Sequence, residues 1–167
     1  YKKIPIAIGS CSANIVSLPH DSVDIRKWQP ISKNLRSDFH DFNIVGGILT
    51  YFDIEKNLQI IHQLYPNISE FSLLTDNSLG GVTMQAFVRD KVTGVKGVNM
   101  HYIDGRNESY DSMLRTIRKM HGNKALILGT WRVDCNENFA MGNSAMQVRE
   151  ANPELPVFTI SGIGMNG

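Results

Sequence analysis

Apolar residues along this chain fall into short runs separated by stretches of helical spacing. FSLLTD (71–76), VNMHYID (98–104) and ALILGTWRVD (125–134) are each largely apolar, and each ends in polar residues. A segment of helical character follows each one. Runs of this kind alternating with helices predict a parallel sheet buried on both faces. In such sheets ligands sit just beyond the carboxyl ends of the strands. The polar ends here are Thr75, Asp76, Asn77 and Ser78; Asp104, Gly105 and Arg106; and Thr130, Trp131 and Arg132. Function is expected on that edge.

The other elements follow from the same pattern. KIPIAIGS (3–10) reads as a buried strand ending in a small-residue turn, with Pro5 tolerated near its start. IVGGILTY (44–51) reads as a strand softened by glycine. Asp53 is the N-cap of a helix in which Ile54, Leu58, Ile61 and Tyr65 recur at helical spacing, and Pro66-Asn67 stops it. Residues 77–81 form a turn feeding a helix that runs to Lys91. Ser109 caps a helix whose Tyr110, Met113, Leu114, Ile117 and Met120 make one apolar face. A further helix over 139–152 is stopped by Pro153, and 156–160 is the last strand. Residues 11–43 show no sustained period. They read as a long connection with a short helix near 31–39, and a connection of that length is usually functional or a crossover between domains. The fold class predicted is α/β: a doubly wound, mostly parallel sheet of about five strands with helices on both faces. Strands 71–75, 98–103 and 125–128 are expected to be the most buried.

Composition narrows the function classes. A chain of 167 residues suffices for one domain with a sizeable core. A net charge of +1 without a basic stripe argues against nucleic acid as a partner. No apolar run approaches the roughly 20 residues of a membrane span. The chain begins at Tyr1 rather than Met and ends at Gly167, which reads as either a processed chain or a piece of a longer protein. Cys11 and Cys135 lie far apart with no CxxC spacing, so no zinc site is expected. They read as free thiols, with a disulfide as the lesser alternative.

The candidate chemistry is sparse. GxGxxG and GxxxxGK[ST] are both absent, so Gly80-Gly81 reads as flexibility at a helix start. No GxSxG elbow surrounds Ser10 or Ser12. The five histidines, at 20, 40, 62, 101 and 121, fall away from predicted carboxyl strand ends. Asp76 and Asp134 end strands as a phosphoryl-accepting aspartate would, but the first strand ends in Gly9-Ser10-Cys11, without acidic residues to hold magnesium. The edge therefore offers hydroxyls, amides, glycines, one aromatic and a few charges. That set suits a small polar or zwitterionic molecule, with helix N-termini for a carboxylate and an indole for an apolar wall. Ligand contacts are expected at Ser10, Thr50, Tyr51, Asp76, Asn77 and Trp131, and also at Asp104, Asp134 and Ser161. The Trp131 ring is expected to project past the sheet edge; the alternative is packing against the helix that begins near Phe139. No metal and no cofactor is expected.

The stretch GGILTYFDIEKNLQIIHQLYPNISEFSLLTDNSLGG resembles a family of bacterial extracytoplasmic solute-binding proteins of the ABC-transporter type, which have the periplasmic-binding-protein class I fold. Thr50, Asn57-Leu58, Leu64-Tyr65-Pro66 and the run from Leu73 through Asn77 stand in the family's places for a turn, a helix, a helix stop and a strand end. IRKMHGNKALILGTW and NPELPVFTISGIGMNG resemble its final lobe-2 strand and the return strand to lobe 1. The resemblance covers residues 44–167. It implies a division into 1–43, the end of a preceding lobe and a long connection, and 44–167, a ligand-binding lobe with a return strand. Two departures stand out: the connection is longer than the family's, and most of a first lobe is missing. Similar sequences serve as extracytoplasmic sensors of membrane-bound histidine kinases. The resemblance implies that role first: a sensor module that binds a small molecule, is not itself an enzyme, and is attached to the inner membrane in the full-length protein. The alternatives are the solute-binding component of an ABC transporter and an enzyme on a flavodoxin-like or nucleotide-binding scaffold. The partners implied are a small polar or zwitterionic metabolite, the rest of a receptor or a transporter permease, and a second copy of the chain.

Overall fold

A computed structural model describes residues 4–40, 42–140 and 144–160. Its elements run β1 (Pro5–Ser12), β2 (Asn14–Ile15), β3 (Lys33–Asn34), β4 (Asn43–Thr50), α1 (Ile54–Leu64), β5 (Glu70–Thr75), α2 (Leu79–Val92), β6 (Asn99–Asp104), α3 (Tyr110–Arg118), β7 (Lys124–Leu128), α4 (Ser144–Ala151) and β8 (Val157–Thr159).

The main sheet has four parallel strands in the order β6-β5-β7-β8. Leu73 of β5 lies between Tyr102 and Ile127 in the register. Successive side chains of a strand point to opposite faces. Phe71 and Leu73, with Ala125 and Ile127, meet Ile54, Leu58 and Ile61 of α1 and Phe87 and Val88 of α2. Leu74, Leu126 and Leu128 turn the other way and meet Met113 and Ile117 of α3 and Val148 of α4. Both faces are therefore covered, which is why these strands read as unbroken apolar runs rather than alternating ones. Each such side chain contributes about 1.5–3 kcal/mol on burial. Among the described residues no helix is long and apolar enough to cross a membrane.

The helix ends follow from their capping residues. Asp53 accepts from the Lys56 N–H at 2.9 Å, Ser78 from Gly81 at 3.1 Å and Ser109 from Ser112 at 3.4 Å. At the far end of α3, the buried Asn152 amide donates to the Ile117 and Met120 carbonyls. It satisfies carbonyls that a helix leaves without intrahelical partners.

Four expectations need correction. β1 and β4 do not join the main sheet; they form a separate two-stranded parallel ribbon, so the main sheet has four strands. β6 is not among the most buried strands, because it lies at the sheet edge and exposes Asn99 and His101. The helix near 31–39 is absent. Lys33–Asn34 pairs with Asn14–Ile15, and the Asn34 side chain accepts from the Arg36 and Ser37 N–H groups while Asp38 accepts from Asn34. Such local side-chain bonds offer the backbone a turn in place of a helix. The helix expected from Phe139 is described from Ser144; Phe139 instead bridges Val133 and is exposed.

Candidate functional site

The crossovers locate the switch point of the sheet. From β5 the chain passes through α2, on one face, to β6 on one side. It then returns through α3, on the other face, to β7 on the opposite side of β5. The strand order thus reverses between β5 and β7, and open α/β sheets bind ligands at such a point, beyond the carboxyl ends.

Two loops meet at this switch point, and hydrogen bonds knit them together. Asp76 is 1% exposed, and its carboxylate accepts from the Ser78 N–H at 3.1 Å, the Ser78 hydroxyl at 2.5 Å and the Arg132 N–H at 2.8 Å. The Asp76 N–H donates to Thr130 Oγ1 at 3.4 Å. Asn77 donates from its backbone to Val133 O at 2.9 Å and from its amide to Asp134 O at 3.4 Å. Asp134, equally buried, accepts from the backbone N–H groups of Tyr110, Asn136 and Asn138, each at 2.9 Å. Burial pushes the Asp134 carboxyl up, but these bonds outweigh it and hold the group below the ordinary aspartate value. Two glycines make the loops possible. A Cβ on Gly81 would collide with the Asp76 carbonyl and carboxylate, and one on Gly105 would come within 2.8 Å of Asp76 Cα.

Asp104, at the end of β6, holds a different partner. Arg106 is 1% exposed and closes on Asp104 at 2.6 Å, on Gln85 at 2.8 Å, and on the carbonyls of Ile25 at 3.2 Å and Trp28 at 2.5 Å. Arg89 of α2 bonds the Gln29 side chain and the Pro30 carbonyl. The connection is therefore not a free loop. Two arginines pin it to α2 and the β6 end, and Val16 and Trp28 pack on Val82 and Ala86. Burial raises the Asp104 carboxyl, and the Arg106 hydrogen bonds lower it further, for a net value below the ordinary one.

The structure gathers Asp76, Asn77 and Asp134 into one hydrogen-bonded group and sets Asp104 on the neighbouring strand end. Ser10 and Thr50 lie on the separate ribbon, and Tyr51 follows it, lining a cavity of about 350 Å³ with Phe52, Asp53 and Lys91. Ser161 lies outside the described residues. The expectation for Trp131 is corrected: its ring does not project past the sheet edge. It is 4% exposed, packs in the core with Leu74, Met113 and Val148, and meets Tyr110 edge-on with centroids 5.1 Å apart. The apolar face of α3 offers that ring more contact than the open edge does.

A cavity of about 420 Å³ lies beside Asp134, lined by Tyr110, Asp111, Asn138, Phe139 and Gln147 among others. Sequence reasoning missed it, and it missed Gln85 and the grip of Arg106 on the connection, because a buried arginine carries no periodic signal. Cys11 and Cys135 are free and partly buried. Among the described residues no three of His, Cys, Asp and Glu gather as a metal would need. No protein-family model matches this chain, and no curated protein or solved structure is significantly similar to it.

Proposed function

We propose that this chain is a ligand-binding lobe built like that of a class I periplasmic binding protein. It serves as the extracytoplasmic small-molecule sensor of a bacterial two-component histidine kinase. The observation that carries this reading is the switch point between β5 and β7. Its two loops are braced by Asp76 and Asp134, whose carboxylates are taken up by main-chain N–H groups and neighbouring side chains. Carboxylates engaged in this way shape a recognition edge instead of moving protons. Around them Asn77, Ser78, Thr130 and Arg132 are half-buried or exposed and offer donors and acceptors to a small polar molecule. The ribbon of β1 and β4 supports the idea of a second lobe, because parallel strands are ordinarily covered on both faces and these are largely exposed.

The test is ligand-dependent thermal stabilisation of the full-length receptor across a panel of amino acids, sugars and carboxylates. A hit should be lost in Asn77→Ala and reduced in Arg132→Ala. The isolated chain should bind the same ligand more weakly, since closure over both sides of a ligand contributes much of the affinity. A flavin or nucleotide retained through purification would overturn the reading in favour of an enzyme. A full-length protein with a lipoprotein signal and no kinase would assign the lobe to a transporter.

A further inference from the structure

Among the described residues, the ribbon of β1 and β4 shares no hydrogen bond, ion pair or apolar cluster with the α/β layer. The covalent link through Tyr51 and Phe52 joins the two, and so does the connection. At its base the connection closes on itself and on the ribbon. Asn14–Ile15 pairs with Lys33–Asn34, the Ala13 N–H donates to the Thr50 carbonyl at 2.9 Å, and the Leu35 N–H donates to the Ala13 carbonyl at 2.8 Å. At its tip the layer grips it. Arg106 donates to the carbonyls of Ile25 and Trp28, Arg89 to the Pro30 carbonyl and the Gln29 side chain, and Asn107 to the Arg26 carbonyl at 3.4 Å. Trp28 packs with Val16 on Val82 and Ala86 of α2. Residues 24–27 stay exposed, so the tip is held mainly by its backbone and one indole.

We infer that residues 16–32 are a strap that sets the orientation of the ribbon against the layer, and that the ribbon turns only when the tip at 25–30 lifts off Arg106 and α2, whatever the chain binds. The strap occupies the stretch in which this chain is longer than the solute-binding family it resembles. Two bodies joined by a short link and little interface ordinarily move relative to each other, with the link as the hinge. The link at 50–52 is of that kind, and its Tyr51 is exposed. The strap removes the freedom because it spans the link: its base holds Thr50, and its tip holds α2 and the end of β6. Hydrogen bonds from a charged donor are roughly twice as strong as neutral ones, so the grip is firm. It is also reversible. The acceptors on the strap are neutral, and Arg106 keeps Asp104 and Gln85 when the tip lifts. Release therefore leaves no charge unpaired in the layer, unlike the breaking of a buried ion pair.

The strap can be cut out at its base, because Ile15 and Lys33 are register partners: a short Gly-Ser linker in place of residues 17–31 keeps the pairing of β2 with β3. Cys11→Ser and Cys135→Ser clear the 167-residue chain of its native thiols. Nitroxide labels on Val45→Cys and Met146→Cys, both at exposed positions, report the ribbon against the layer; labels on Leu64→Cys and Met146→Cys report the layer alone. Pulsed electron–electron distance measurements on the intact chain should give one narrow peak for each pair. Without the strap, the peak between 45 and 146 should be lost to a broad distribution, and the peak between 64 and 146 should stay. A peak between 45 and 146 that remains narrow without the strap would mean that the link alone sets the ribbon, and a broad one in the intact chain would mean that nothing does; either result overturns the inference. Loss of the peak between 64 and 146 would overturn it as well, since the loop would then belong to the fold of the layer itself.

Discussion

Asp76 and Gly81 form a matched pair at the residue scale. The carboxylate folds back over the first turn of α2, and only a residue without a side chain leaves room for it. Gly81→Ala should therefore destabilise the protein by about 1–3 kcal/mol, as overpacking does, even though alanine is the better helix former. A urea melt measures this, and an unchanged midpoint would show that the loop relaxes at no cost. Trp131 makes a second case. With its ring 4% exposed among Leu74, Met113 and Val148, Trp131→Ala should cost about 3–5 kcal/mol. Binding at the switch point should then change mainly through lost folded protein. A variant that kept its stability and lost only affinity would return the indole to the cleft.

At the scale of elements, the connection between β1 and β4 is held by charge. Arg106 has one carboxylate partner, Asp104, and spends its other N–H groups on Gln85 and on connection carbonyls. Removing one member of a buried pair leaves the other uncompensated. Arg106→Ala should therefore cost about 3–5 kcal/mol and open residues 24–30 to limited proteolysis. If cleavage in that segment stays slow, the packing of Trp28 and the Arg89 bonds to Gln29 and Pro30 hold it without Arg106. The pH dependence has a definite sign. The folded carboxyls of Asp104 and Asp134 lie below the unfolded value of about 3.9. Their contribution is present above that value and is lost as pH falls through the folded values. Melting temperature should drop steeply on the acid side, and Asp104→Asn should lower it at neutral pH while flattening that acid limb.

Over the whole molecule, stability is uneven. β5 and β7 are sealed between two helical layers, whereas β1 and β4 form a ribbon with Val45 62% and Ile48 66% exposed. A two-stranded sheet is marginal without further strands or a covering layer. Amide hydrogen exchange in the isolated chain should therefore be fastest in β1 and β4 and slowest in β5 and β7. Ile48→Thr should change stability by less than about 0.5 kcal/mol in the isolated chain. A larger loss would mean that the ribbon is covered in solution.

The sequence alone determined the α/β class, the parallel core strands and the positions of most helices. Runs such as ALIL, the caps Asp53 and Ser109 and the stop at Pro66 are local physics, and local physics survives in any context. It also marked the carboxyl edge, because strands that end in Thr75-Asp76 and Gly129-Thr130 change character abruptly there. Tertiary structure alone decided which strands were central. Met100 and Ile103 are as apolar as Phe71 and Leu74, their partners in β5, but β6 has a neighbour on one side only. It decided the fate of Trp131, since an aromatic at a strand end faces either ligand or core according to what α3 offers it. It decided as well that the polar, aperiodic connection is clamped in place, by an arginine 78 residues from the carbonyl of Trp28 that it binds. Contacts of that span depend on how the layers come together, and no window of local sequence contains both partners.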